Sequence, residues 1–318
     1  MADVGAGDAR RSDDAVIPGV LVGHHHRISD GWATGTTVVL VPAGAVAAVD
    51  GRGGAPGTRE TDLLDPANLV QQVHAICLSG GSAYGLAAAD GVMRWLSERS
   101  IGFQVGAQPH HVVPIVPGAV IFDLPMSEWG NRPDASFGHA ACAAAAEDFA
   151  LGCVGAGAGA RVGSLKGGVG AFSATAGEHR IGALAVVNAA GEVVDRSTGL
   201  PWLPQLGTEP VALPQRKPDG LNTTIGVVAV DATLSKAECR RLAMAAQDGL
   251  ARAVRPSHTM FDGDTVFALA TGARPLAEPR AFALDALCTA AADAFAEAVV
   301  SGAREATTVH GVQAFRDL

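Results

Sequence analysis

Two stretches of the sequence carry side chains that could break an amide bond. Asn222-Thr223-Thr224 runs directly into an apolar run over 225–230 that is typical of a buried strand, so Thr223 should lie at the mouth of that strand. Asp262-Gly263-Asp264 enters a second apolar run in the same way. Residues two apart on an extended chain face alike, so the two carboxylates should share one side. We therefore expect a hydroxyl and a pair of carboxylates at the entrances of two strands.

Both stretches also have ordinary structural explanations. Thr is a good strand residue, and the start of a strand needs no chemistry to explain it. The two acids can be surface turn residues or bind a divalent cation, although they fall short of a calcium loop. What favours function is the segment 202–219 before Thr223, whose four prolines indicate an accessible loop. A self-cleaving precursor needs such a loop to end on a rigidly held strand.

Two further polar side chains complete a possible amide hydrolase. Lys166 stands in the Gly-dense stretch 152–170, where a buried cation could stabilise a developing anion, and Asn188 follows an apolar run. In an N-terminal-nucleophile hydrolase, the Thr223 hydroxyl would attack the Asn222 carbonyl, and water would then release a chain that begins at Thr223. Its new α-amine, with a pKa of about 7.7–8.0, would act as the base. Asn188 could donate an N–H to the oxyanion.

The composition excludes several classes of protein. The chain has 318 residues, 40 glycines and a net charge of -9, and no basic run indicates a nucleic-acid surface. No apolar stretch of about 18 residues predicts a membrane span, and residues 1–18 should be a disordered tail without a signal peptide. The five cysteines form no C-x-x-C pair, so we expect reduced core residues, and not a catalytic Cys, in a cytoplasmic protein.

Three other motifs suggest ligands less specifically. Ser79-Gly80-Gly81-Ser82 between a strand and a helix resembles an anion-binding loop but lacks the Lys of a P-loop, and close packing explains it equally well. The glycines over 155–160 fit a loose dinucleotide fingerprint but follow a helix instead of a strand. His24-His25-His26 cannot all reach one ion from an extended chain, so we expect either a loop with polar contacts or a role for one His at the edge of the substrate site. We expect no cofactor and no metal.

The periodicity of apolar residues predicts a fold that mixes hairpins with interleaved helices. Such a mixture favours an α+β sandwich over a doubly wound parallel sheet. Strands are predicted over 35–41, 45–50, 74–78, 112–116, 119–122, 181–187, 191–195, 225–230 and 265–270, with hairpins across 42–44 and 188–190. Helices are predicted over 83–97, 136–150, from 235 to a stop before Pro256, and 279–300.

At this point the sequence resembles the P1 peptidases, the family of the D-aminopeptidase/esterase precursor and of nylon-oligomer hydrolase, which cuts 6-aminohexanoate oligomers. Asn222-Thr223-Thr224-Ile225 and Asp262-Gly263-Asp264-Thr265 occur together and in the family's order, which is a specific combination. The resemblance covers most of the chain from 19 to 300. The matching stretches are 76–86, 155–168, 184–188, 222–225 and 258–268.

The resemblance implies a four-layer αββα sandwich with its own topology, similar to the N-terminal-nucleophile hydrolases. It implies one catalytic domain, 19–318, cleaved between Asn222 and Thr223 into an α chain, 1–222, and a β chain, 223–318. These would assemble into a tetramer of αβ heterodimers. The substrate would be a small peptide, an amino-acid amide or an amide oligomer, with no nucleic acid or membrane as partner.

For the site, the resemblance implies that Asp262 and Asp264 orient Thr223, with Lys166 and Asn188 assisting. Phe122 stands where nylon-oligomer hydrolase has a Tyr. Any role of that phenol in substrate binding is then either lost in this chain or taken over by Tyr84. Cleavage of nylon oligomers is therefore not expected to follow from the resemblance.

Two other functions fit the same residues. An ornithine-acetyltransferase-like acyl transferase would also cleave itself before a Thr, and would transfer an acetyl group from acetyl-ornithine to glutamate. A non-catalytic scaffold or ligand-binding protein would keep the fold and stay intact.

Overall fold

A computed structural model describes residues 17–215 and 221–318. The predicted tail therefore lies outside the described residues except at its last two positions. Ile17 is 2% exposed and packs among the strands of the core, so the ordered chain already includes the end of that segment. The last part of the predicted Pro-rich loop, residues 216–219, and Gly220 also lie outside the described residues.

The described residues form a mixed α/β fold. Its strands are β1 (Leu21–Ser29), β2 (Trp32–Gly51), β3 (Thr58–Arg59), β4 (Gln72–Ser79), β5 (Phe103–Gln104), β6 (Val112–Val113), β7 (Gly118–Val120), β8 (Arg161–Val162), β9 (Leu165–Lys166), β10 (Val169–Ala176), β11 (His179–Val186), β12 (Ile225–Ala232) and β13 (Thr265–Arg274). Its α-helices are α1 (Ala88–Ser97), α2 (Ala135–Ala143), α3 (Lys236–Ala253) and α4 (Arg280–Glu305). None of the helices in these ranges has both the length and the apolar character needed to cross a membrane.

Nine of the strands form one sheet in the order β10-β11-β12-β13-β2-β4-β7-β3, with β1 paired to β2 off this path. The pairs β12–β13 and β4–β7 are parallel, and the other pairs in this sheet are antiparallel. The parallel register joins Ile225 to Thr265, the first residues of β12 and β13. The segments that precede these two strands, which carry Thr223 and the Asp pair, therefore meet at one edge of the sheet.

The alternation of side chains along the strands divides most of the interior into three large cores, and a small fourth cluster contains Ala33, Met126 and Val309. Helices α3 and α4 cover one face of β11, β12 and β13, where Val228 and Val230 point toward the helices. Helices α1 and α2 cover β2 and β4. The opposite faces of the same strands, including Val227 on β12 and Val39 on β2, pack together in a third core made mostly of strand residues. Strands buried on both sides explain why these segments read as continuous apolar runs.

The predicted hairpin over 35–50 is wrong, because β2 is one strand of 20 residues. The Pro42-Ala43-Gly44 signal marks an irregularity within that strand: the pairing with β4 shifts register between Leu40 and Ala45, and Gly44 has a φ of +82°. The strand continues beside the same neighbour on both sides of this irregularity. The hairpin partner of β2 is β1, so the three adjacent histidines lie in a strand and not in a loop.

Two other predicted elements are also corrected. Residues 191–195 form isolated bridges, to Arg255 and Pro201, and the hairpin partner of β11 is β10. Helix α2 ends at Ala143, seven residues early, because Ala146 bonds back to β1 and Phe149 enters the strand core. The structure confirms β12, β13, α4 and the Ser235 capping box of α3.

Candidate active site

The Asn222–Thr223 peptide bond is held at the entrance of β12 by the segment that leads into β13. The Asn222 N–H donates to the Phe261 carbonyl at 3.0 Å, and the Gly263 N–H donates to the Asn222 carbonyl at 3.0 Å. The Thr223 hydroxyl donates to the same Asn222 oxygen. Thr223 is only 4% exposed. The carbonyl of this bond therefore has two donors, one of which is the neighbouring hydroxyl.

The backbone of Asn188 holds the other side of the bond. Its carbonyl accepts from the Thr223 N–H at 2.5 Å. The Asn188 side chain is turned elsewhere: Oδ1 accepts from the Arg161 N–H at 2.9 Å, and Nδ2 donates to the Phe122 carbonyl at 3.3 Å. The structure thus brings the main chain of Asn188 to Thr223, while the Asn188 side chain, for which donation to the oxyanion was predicted, joins two neighbouring segments.

The two acids secure two different segments around Thr223. Asp264 accepts from the Thr224 N–H at 2.8 Å through Oδ1, which fixes the residue that follows the predicted nucleophile. Asp262 accepts from the Ala190 N–H at 3.1 Å through Oδ1, next to the turn that carries Asn188. Both are 1% exposed. Within the described ranges neither carboxylate is hydrogen-bonded to the Thr223 hydroxyl; each holds a backbone segment close to Thr223 instead.

The loop between α3 and β13 supplies the remaining partners of these carboxylates. Asp262 Oδ2 accepts from both the N–H and the hydroxyl of Thr259, at 2.9 and 2.6 Å. Asp264 Oδ2 accepts from the N–H and from Nδ1 of His258, at 3.0 and 2.9 Å. Each buried carboxylate therefore accepts three hydrogen bonds, which offsets the cost of burying its charge. Among the described residues no cluster of His, Cys, Asp and Glu has the arrangement of a metal site.

Lys166 is completely buried on β9, opposite Arg161 on β8. Its ammonium donates to the carbonyls of Gly157 and Gly167 at 2.9 and 2.7 Å. Burial lowers the pKa of Lys166, and the neighbouring Cys153 thiol and Asp123 carboxylate oppose that shift. In the described ranges Lys166 is not hydrogen-bonded to Thr223; it belongs to the hairpin whose other strand holds the Asn188 side chain.

A narrow pocket opens beside the Asn222–Thr223 bond. Phe122 lies in its wall. Tyr84 is not among the described residues that line this pocket; its ring is 51% exposed and lies under the Arg132 guanidinium. The lining residues are Phe122, Asp123, Pro125, Met126, Gly159, Arg161, Asn188, Leu221 and Asn222.

Asp123 is a buried carboxylate in this wall that the sequence did not single out. Its Oδ1 accepts from the Gly81 N–H at 2.6 Å and its Oδ2 from the Thr34 hydroxyl at 2.7 Å. A Cβ on Gly80 would lie 2.2 Å from Oδ2, so only Gly lets the loop approach this closely. The suspected anion-binding loop therefore binds an internal carboxylate. Burial raises the pKa of Asp123 to about 6.

His258, Thr259 and Gly263 also lie at this site, although the sequence predicted no separate role for them. The signal for Gly263 was present, because a Gly between two functional acids allows close backbone approach. A Cβ at Gly263 would lie 2.8 Å from Thr223 Oγ1. No pattern identified the His258 and Thr259 side chains, since their partners are set by how the loop folds back on the Asp pair.

The chain is similar over most of its length to a peptidase family and to relatives named as an aminopeptidase and an amide-oligomer hydrolase. It matches peptidase family S58 over residues 15–316. It is 55% identical to an uncharacterized aminopeptidase of Mycobacterium tuberculosis, over 95% of this chain and 96% of the relative. It is 34% identical to the 6-aminohexanoate-oligomer endohydrolase of a Kocuria species, over 80% of this chain and 74% of the relative.

The fold is also similar to that of a solved enzyme. The L-aminopeptidase D-Ala-esterase/amidase of Ochrobactrum anthropi, described as a variant of the Ntn hydrolase fold, superposes with a TM-score of 0.70 at 20% identity. The match covers 91% of this chain and 85% of that one. At this identity the likeness shows the fold alone. Taken with the family match, these findings show that the chain belongs to peptidase family S58 and is a hydrolase that acts on amide or peptide bonds.

Proposed function

We propose that this hydrolase is an aminopeptidase-type enzyme that activates itself by cleaving the Asn222–Thr223 bond and then uses Thr223 as its nucleophile. One observation carries the proposal. The Asn222 carbonyl accepts from the Thr223 hydroxyl and from the Gly263 N–H. The attacking group and a donor for the developing oxyanion thus both lie at the bond to be cut.

The cleavage follows from these positions. Thr223 Oγ attacks the Asn222 carbonyl carbon, and the oxyanion is held by the Gly263 N–H. The tetrahedral intermediate then breaks its C–N bond, and the hydroxyl proton ends on the departing Thr223 nitrogen. The product is an ester between Asn222 and Thr223 Oγ. Water cleaves this ester, which leaves a carboxylate on Asn222 and a free α-amine on Thr223.

The same contacts suit the processed enzyme. The new α-amine would stay beside the Asn188 carbonyl, which already accepts from the Thr223 nitrogen. With a pKa of about 7.7–8.0 for an α-amine, it can take the hydroxyl proton at neutral pH. Asp264 fixes Thr224 and Asp262 fixes the turn behind Asn188, so the nucleophile is positioned from both sides. Lys166 adds positive charge to the same region from its buried place on β9.

We propose that a small substrate, a short peptide, an amino-acid amide or an amide oligomer, binds at the pocket beside Asn222. Its wall combines apolar groups, among them Phe122 and Met126, with the charged Asp123 and Arg161. The names of the relatives, an aminopeptidase and an oligomer endohydrolase, are consistent with this range. We further propose a four-layer αββα arrangement, supported by the two helix-covered cores on either side of a strand core. A cytoplasmic tetramer of processed heterodimers is proposed from the resemblance alone.

The experiment compares two adjacent threonines. Thr223→Ala should leave the purified protein as one chain without amidase activity. Thr224→Val is the matched control, because Thr224 is fully buried and its hydroxyl has no hydrogen-bond partner within the described ranges. It should cleave and hydrolyse an amino-acyl p-nitroanilide like the wild type. Cleavage of Thr223→Ala, or loss of cleavage in Thr224→Val alone, would overturn the proposal. Acetyl transfer from acetyl-ornithine to glutamate without hydrolysis would identify the acyl transferase instead.

A further inference from the structure

His258 lies in the loop between α3 and β13, and the proposed chemistry does not use its imidazole. Its φ is +56°, in the left-handed region that non-Gly residues rarely adopt. Both its N–H and its Nδ1 reach the same oxygen, Oδ2 of Asp264, at 3.0 and 2.9 Å. In this backbone conformation the main chain and the side chain of His258 converge on one carboxylate oxygen.

The hydrogen bond to Asp264 fixes which ring nitrogen carries the proton. An ionised carboxylate only accepts, so the proton lies on Nδ1. Nε2 is buried and has no hydrogen-bond partner in the described part of the chain. A buried ring nitrogen without a partner and a left-handed backbone each cost free energy. The interaction through Nδ1 is the feature of the structure that offsets these costs.

The other oxygen of Asp264 connects this interaction to the nucleophile. Oδ1 accepts from the Thr224 N–H at 2.8 Å, one residue after Thr223. We propose that His258 is a positioning residue, whose Nδ1–H locks the rotation of the Asp264 carboxylate so that Oδ1 holds Thr224, and with it the Thr223 hydroxyl, at the carbonyl it attacks. Thr259 does the equivalent for Asp262 from the next position in the loop. This inference rests on the proposed role of Thr223.

Three substitutions of His258 separate the effect of losing the Nδ1–H donor from the effect of relieving the backbone strain. His258→Ala removes the donor and keeps the strain. His258→Gly removes the donor and relieves the strain, since Gly adopts positive φ freely. His258→Asn keeps an N–H donor near the position of Nδ1 and tolerates the left-handed region. If the Ala variant fails to fold, the comparison of Asn with Gly still decides the outcome.

A second His–Asp pair in the chain provides the control. His179 Nδ1 lies 3.0 Å from Asp231 Oδ1, and His179 is 5% exposed. Asp231 is near the far end of β12, so the pair lies about 20 Å along the strand from Thr224 at about 3.3 Å per residue. His179→Ala therefore removes a comparable buried interaction away from the bond to be cut.

The readouts are the rate of self-cleavage, kcat and KM for an amino-acyl p-nitroanilide, and the melting temperature. We expect His258→Ala and His258→Gly to slow cleavage and kcat about 10- to 100-fold, with KM within about twofold of the wild type. His258→Asn should restore most of the rate. His179→Ala should lower the melting temperature without changing kcat.

The outcomes distinguish this inference from the proposed function. An intact wild-type chain, or cleavage in Thr223→Ala, would overturn the proposed function. If the wild type cleaves itself and Thr223→Ala does not, wild-type rates of self-cleavage and of kcat in His258→Gly would overturn the role of the His258 donor. So would a His258→Asn variant as slow as His258→Gly at an unchanged melting temperature.

Discussion

Adding one methyl group at Gly263 should stop self-cleavage, because that position leaves no room between the nucleophile and the loop behind it. A Cβ there would lie 2.8 Å from Thr223 Oγ1 and 2.7 Å from the Ala55 carbonyl oxygen. Ordinary contacts begin at 3.4 Å, so the Thr223 hydroxyl would have to move by several tenths of an ångström or more. The Gly263 N–H, which donates to the Asn222 carbonyl, would be displaced with it.

Two effects set the magnitude. A misplacement of about 1 Å costs on the order of 10²-fold in rate, and loss of one oxyanion donor costs about 10²–10³-fold. Gly263→Ala should therefore slow the appearance of the two chains about 100-fold or more. The assay is a time course of freshly purified protein at neutral pH, resolved by denaturing electrophoresis, with thermal unfolding to show that the variant is folded.

The control is Gly51→Ala, at the end of β2 beside Thr265. There the nearest atom to a new Cβ is Thr265 Oγ1 at 3.8 Å, an ordinary contact. This variant should cleave at the wild-type rate. Wild-type cleavage by a folded Gly263→Ala protein would refute the placement of Thr223 Oγ and of the Gly263 donor at the scissile carbonyl.

Three further predictions concern the buried charges. Asp262→Asn should reduce the free energy of unfolding by about 1.5–3 kcal/mol, because an NH₂ group would face the Thr259 N–H where the carboxylate oxygen now accepts. Denaturant unfolding on the Thr223→Ala background checks this, and an unchanged midpoint would contradict it. Because the pKa of Asp123 is raised to about 6 from 3.8, the folded state binds its proton more tightly, and its contribution to stability is present below pH 4 and lost as pH rises to about 6. The loss is at most about 3 kcal/mol, and Asp123→Asn should lack it, which unfolding at pH 4 and 7 would show. Lys166→Met should keep the fold but slow cleavage and kcat, because it removes a buried amino group whose pKa is lowered by burial and which donates to two backbone carbonyls. A wild-type time course for this variant would remove Lys166 from the site.

Local signals in the sequence were enough to predict the elements that carry the site. The capping box at Ser235 and the apolar runs of β12 and β13 depend on neighbours close in the chain, and the structure confirms them. The Pro42-Ala43-Gly44 turn signal predicts a hairpin wrongly because it carries no information about which strand lies alongside. Pairing with β4 on both sides of the irregularity keeps the chain straight enough to continue as one strand.

For the candidate site, the sequence could predict only the types of residue involved and their places at the ends of strands. Thr223, Asp262 and Asp264 meet because β12 and β13 are parallel neighbours in register, which the sequence does not specify. The orientation of the Asn188 side chain depends on Arg161 and Phe122, 27 and 66 positions away in the chain. Such contacts are fixed by packing between distant segments, so the sequence could indicate the Asn but not its partners.

The central claim is tested most directly by determining the mass and the N-terminal residue of every chain in the purified wild-type protein. The account predicts two chains, one ending at Asn222 and one beginning with a free amino group on Thr223 and ending at Leu318. A single chain of 32.1 kDa after prolonged incubation at neutral pH, or a second chain that begins at any residue other than Thr223, would contradict it.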